Sequence, residues 1–139
     1  MKLPQVGAGE YGATRPDEFA GVFTDGPKLV VLFTGNLAEH RSELAKVIDP
    51  RQPFRVVLAD RTWLSIDASR VKVTERLLTG SRHPSVQGVG LTVRDGQYVV
   101  YVQASGDELV REELIELAAP DPIEIGLLPP GTRIVARET

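Results

Sequence analysis

An α+β fold, built as two tandem ββαβ repeats with helices packed on an antiparallel-rich sheet, is what three features of this sequence predict. Two pairs of β-rich runs are joined by short Asp-Gly turns, at Asp25-Gly26 and Asp95-Gly96, the signal of a hairpin. Each hairpin is followed by an apolar stripe at helical spacing and then by another β-rich run. The landmarks of the first half also recur in order in the second. Phe19-Ala20-Gly21-Val22 matches Val86-Gln87-Gly88-Val89, Val30-Val31 matches Val99-Val100, Leu44 matches Leu114, and Pro50 matches Pro120.

Composition agrees with a packed domain. Of 139 residues, 42% are hydrophobic and 25% charged, so the chain can bury a core without disulfides, and it contains no cysteine to form one. The net charge of −3 lacks the basic excess of a nucleic-acid binder. The longest apolar run, Leu29 to Phe33, is far too short for a membrane span.

Taken in order, Met1 to Glu18 reads as a flexible arm, rich in Gly and Pro with little apolar periodicity. It contains Gly7-Ala8-Gly9-Glu10-Tyr11-Gly12, a G-x-G-x-x-G string. A dinucleotide fingerprint needs a strand before it and a helix after it, and neither is indicated here. No apolar run follows Lys2, so a signal peptide is not indicated. The default expectation is a cytoplasmic chain.

The first unit with its connecting helix is expected over residues 19–79. Phe19 to Thr24 and Lys28 to Thr34 form its hairpin. The second of these runs is apolar on both faces, as in a strand covered on both sides. Asn36 and Glu39 have the spacing of a capping box, and Leu37, Leu44, Val47 and Ile48 fall on one helical stripe. Asp49-Pro50 ends that helix. Phe54 to Ala59 is a third strand. A further helix over Ser65 to Leu78 would turn Ala68, Val71 and Leu78 inward.

Residues 80–139 form the second unit and a C-terminal tail. Strands are expected at Val86 to Arg94, Gln97 to Gln103 and Pro122 to Leu128. Ser105 and Glu108 suggest a capping box for a helix with Val110, Leu114, Leu117 and Ala118 on its buried stripe. Thr132 to Thr139 has some β character. One shared sheet and two separate lobes both fit this pattern.

No residue set carries a strong catalytic signature. His40 lies at the edge of its helical stripe. His83 sits between Ser81 and Ser85, where a Ser/His pair would supply nucleophile and base. Two distant histidines without cysteine do not make a metal site, and no cofactor motif is present. Glu108, Glu112, Glu113 and Glu116 read as a solvated helix surface. Trp63, between a strand and a helix, reads as a packing anchor.

The string FAGVFTDGPKLVVLFTGNLAEHRSELAKVI, followed by FRVVLADRTW, resembles a unit that recurs in actinobacterial exported proteins. It is also similar to units in the pro-segments of streptogrisin-type and α-lytic-type serine proteases. VQGVGLTVRDGQYVVYVQ resembles the second such unit. The resemblance implies an exported, non-enzymatic binding domain that chaperones or inhibits a serine protease. It further implies that the tail residues Thr132, Arg133, Ile134 and Val135 contact the partner. The chain carries no Gly-Asp-Ser-Gly-Gly type nucleophile motif of its own. A small hydrolase using the Ser/His pair, and a small-ligand sensor with its site between the repeats, are the alternatives from other classes.

Overall fold

Four helices and six strands account for most of the chain in a computed structural model that describes residues 4–79 and 83–129. The fold is α+β. The chain divides into two compact units between Ile66 and Asp67.

In the first unit, helix α1 (Pro4–Ala13) precedes strands β1 (Phe19–Asp25) and β2 (Lys28–Phe33), helix α2 (Leu37–Val47) and strand β3 (Phe54–Leu58). β1 and β2 pair antiparallel, while β2 and β3 pair parallel, in the order β1-β2-β3. The parallel pair follows from connectivity, because a chain that crosses over through a helix returns in the same direction. The sheet is therefore mixed rather than antiparallel-rich. β2 is buried on both faces, as its composition predicts. Leu29, Val31 and Phe33 join Leu44, Ile48, Val56 and Ala8 in one core, while Val30 and Leu32 are buried on the opposite face.

The expectation of a flexible arm over Met1 to Glu18 is corrected at residues 4–13, which form α1. With three glycines the segment has poor intrinsic helicity, and its burial is what holds it. Ala8 and Gly12 are buried, and Gly12 lies against the ring of Phe19, where a Cβ would come within 2.5 Å of Phe19 Cγ. The glycines that suggested flexibility are the ones that permit close packing. Gly12→Ala should gain about 1 kcal/mol of helix propensity and lose more to overpacking, about 1–3 kcal/mol. Net destabilisation in urea titration is the expected result; a stabilised variant would show that α1 does not pack on Phe19.

The second unit contains helix α3 (Trp63–Thr74), which begins just before the division and runs into a π-helical turn at Glu75–Thr79. Then come β4 (Val86–Arg94), β5 (Gln97–Ser105), α4 (Glu108–Ala118) and β6 (Glu124–Leu128). β4 and β5 pair antiparallel, and β5 and β6 parallel. The helix expected to close the first unit thus belongs largely to the second. Its buried residues are Ile66, Ser69, Val73 and Leu77 rather than Ala68 and Val71, and Val73 and Leu77 enter the core with Val86, Val100, Val102 and Leu114. The 3–4–4 spacing of these four residues is the true helical stripe.

Each sheet stays within its own unit, and each unit has the order helix, hairpin, helix, strand. The first strand of each is bulged at its start, between Phe19 and Gly21 and between Val86 and Gly88. The hairpin turns are placed differently from the expected match. Asp95 and Gly96 both have positive φ, whereas the first turn is Gly26-Pro27, with Asp25 still paired to Lys28. The turn positions therefore correspond as Gly26-Pro27 to Asp95-Gly96, one residue from the Asp-Gly alignment.

Neither expected capping box forms. Asn36 is in the left-handed region and makes no cap bond. Asp107, not Ser105, caps α4 by accepting from the N–H groups of Leu109 and Val110. Asp107→Ala should cost about 1 kcal/mol of second-unit stability, read as a lower midpoint in thermal denaturation; no shift would mean the cap bond contributes nothing. Val47 and Leu117, both expected inside, are 54% and 44% exposed. In α2 the buried slot goes to His40.

Candidate functional site

His40 is the most deeply buried ionisable side chain among the described residues, at 1% exposure. It lies one turn before Leu44 on the inner face of α2, and its ring stacks on Phe33 at 3.9 Å between centroids and 10° between planes. Tyr11 of α1 and Phe19 of β1 meet the Phe33 ring edge-on. The cluster is thus assembled from α1, β1, β2 and α2.

Both nitrogens of the His40 ring are engaged. Tyr11 OH lies 2.8 Å from Nδ1, and Glu18 Oε1 lies 3.3 Å from Nε2. A carboxylate can only accept, so Nε2 carries a proton for Glu18, and in the neutral ring Nδ1 accepts from the tyrosine hydroxyl. The second carboxylate oxygen of Glu18 accepts from Asn36 Nδ2 at 2.8 Å. This explains why Asn36 does not cap α2. The result is a chain Tyr11–His40–Glu18–Asn36. Burial pushes the Tyr11 hydroxyl pKa above its usual value, opposed by the nearby Arg15, whose guanidinium lies 5.3 Å from the ring centre. No buried side-chain nitrogen or oxygen lacks a hydrogen bond among the described residues.

At the positions of like topology the second unit carries apolar or small side chains. Its α4 carries Val110 one turn before Leu114, as α2 carries His40 before Leu44. Val86 pairs with Ala104 where Phe19 pairs with Phe33. Ser105 N–H donates to Ser85 O, as Thr34 N–H donates to Glu18 O, which puts Ser85 in the place of Glu18. The fold itself therefore does not require a polar cluster at this position.

His83 has a different setting. Ser85 N–H donates to its Nδ1 at 3.2 Å, so the proton sits on Nε2, which faces Glu113 Oε2 at 3.0 Å. Among the described residues the ring is engaged by a main-chain group and a carboxylate. Ser81 lies outside the described residues, as do Thr132, Arg133, Ile134 and Val135 of the expected partner contact. Trp63 opens α3, as its position between strand and helix suggested. Gly7, Gly9 and Gly12 lie within a helix, not in a phosphate-binding turn. Among the described residues no cluster of three or more His, Asp or Glu is placed to hold a metal ion, and no helix is long and apolar enough to cross a membrane.

Sequence reasoning singled out His40 but placed it at the stripe boundary, and it passed over Tyr11 and Glu18. The available signal was spacing: positions 37, 40, 44 and 48 form a helical stripe with His40 in the place that the expected stripe gave to Val47. No protein-family model matches the chain, and a search of curated proteins finds none that matches.

Proposed function

We propose that this chain is a non-enzymatic protein-binding domain, a tandem repeat of one αββαβ unit. In this reading it acts as the pro-segments it resembles act, as a chaperone or inhibitor of a serine protease outside the cell. The observation that carries the reading is the matching plan of the two units: a helix before a bulged hairpin, a crossover helix, and a parallel third strand. The engagement of both His40 nitrogens inside the first unit also favours a structural cluster over a reactive base. Thr132, Arg133, Ile134 and Val135 form the segment that enters the partner's cleft.

The test is titration of the full chain, and of a form ending at Gly131, against secreted serine proteases of the chymotrypsin class. Inhibition by the full chain and its loss in the shortened form are expected, with far-UV circular dichroism unchanged. Cleavage of the full chain without inhibition, and no effect on refolding of the protease, would overturn the reading.

A further inference from the structure

Among the described residues strand β3 is an edge of its sheet, and its hydrogen-bonding parity follows from its two ends. Leu29 N–H donates to Pro53 O at 3.0 Å, and Ala59 N–H donates to Phe33 O at 2.9 Å. The register between them runs unbroken from Leu29↔Phe54 to Phe33↔Leu58. In a parallel ladder one residue turns both its N–H and its C=O to the same side, and the next turns them away. Positions 53, 55, 57 and 59 therefore face β2. The N–H and C=O groups of Phe54, Val56 and Leu58 face outward.

The corresponding edge of the second unit is blocked. Gly106 N–H donates to Leu128 O, so Ile125 is one of the residues that face away from β5. Its carbonyl accepts from Arg111 Nη1 at 3.2 Å. Arg111 follows Val110 as Arg41 follows His40, yet no hydrogen bond joins Arg41 to β3. A cationic side chain laid on an edge is a known guard against strand pairing. Among the described residues β6 has this guard and β3 does not.

We propose that β3 pairs antiparallel with β3 of a second copy of this chain. The five-residue sequence Phe54-Arg55-Val56-Val57-Leu58 is self-complementary about Val56. A two-fold pairing centred there sets Phe54 opposite the partner's Leu58, Arg55 opposite the partner's Val57, and Val56 opposite the partner's Val56. The outward N–H groups of Phe54, Val56 and Leu58 in each copy then all meet carbonyls. Leu58, 57% exposed, comes alongside the partly buried Phe54 of the neighbouring core and extends that apolar cluster. No arginine stands directly opposite another, and Arg55 is already met by Asp25 at 3.3 Å. Two short strands bury far less than the roughly 1,600 Å² of a standard interface, so the pairing is weak, with a dissociation constant on the order of 10⁻⁵–10⁻⁴ M. It is independent of the protease reading.

Sedimentation equilibrium of the full chain over about three decades of concentration, bracketing that range, tests the proposal. The apparent mass should rise from one chain to two. Leu58→Lys, at an exposed position, should leave the monomer folded and shift the midpoint upward at least tenfold. Val56→Pro removes an N–H that makes no hydrogen bond among the described residues and should shift the midpoint in the same direction; Val56 is a core residue, so if the variant unfolds, Leu58→Lys decides. A monomer at every concentration overturns the proposal and leaves the edge to a strand from a different protein. A Leu58→Lys chain that dimerises as readily as the parent also overturns it.

Discussion

Phe33→Ala should remove most of the first unit's stability. The side chain is fully buried, and its ring holds three others, with His40 stacked on one face and Tyr11 and Phe19 at its edges. Truncating a buried phenylalanine costs about 3–5 kcal/mol through lost transfer energy and the cavity left behind. Here α1 has little helicity of its own, so loss of its seat should also release it. Set against a total of about 5–15 kcal/mol for a typical domain, the expected outcome is loss of hydrogen-exchange protection in β1 to β3. Protection in β4 to β6 serves as the internal reference. A loss below about 1 kcal/mol, the mark of an uncritical site, would show that the ring cluster does not hold this core together.

The second large effect concerns the polar chain, and the molecule contains its own control. His40→Val places in α2 the residue that α4 carries at the matching turn. Alone it should destabilise the first unit by about 1–3 kcal/mol, because the Tyr11 hydroxyl and one Glu18 oxygen lose their partner. The value belongs at the low end, since Glu18 is 22% exposed and keeps its bond to Asn36. Adding Tyr11→Phe and Glu18→Ser removes the stranded groups. The triple variant should then recover most of the loss, because replacing all members of a buried polar set by apolar or small groups is far cheaper than orphaning one of them. Urea titrations of the single and triple variants measure this coupling directly. A triple variant whose loss equals the sum of three independent losses would mean that the three side chains do not act as one network.

This network also marks where reading from sequence stops. Tyr11, Glu18 and His40 are spread over thirty residues, on two helices and the turn before β1, and no local pattern ties them together. Alternation, turn residues and helical spacing are local properties, which is why all six strands and the two crossover helices were legible. The first helix was not legible, because its glycines score against helicity and its support comes from Phe19 and the sheet. The connecting helix was legible but out of phase, since β-branched Val71 and Val73 offered two stripes, and only packing against Val86 and Leu114 selects between them.

By itself, then, the amino-acid order determined the α+β class, the hairpins, the two-sided burial of β2 and the helix breaks at proline. These depend on dihedral preference and apolar period, which act over a few residues. Tertiary structure alone decided that the N-terminal segment is a helix, that the division falls at Ile66, that the third strand of each unit pairs with the second rather than the first, and that His40 is a core residue. Each of these turns on which distant surface a segment meets, and burial against that surface outweighs the fractions of a kcal/mol per residue carried by local propensity.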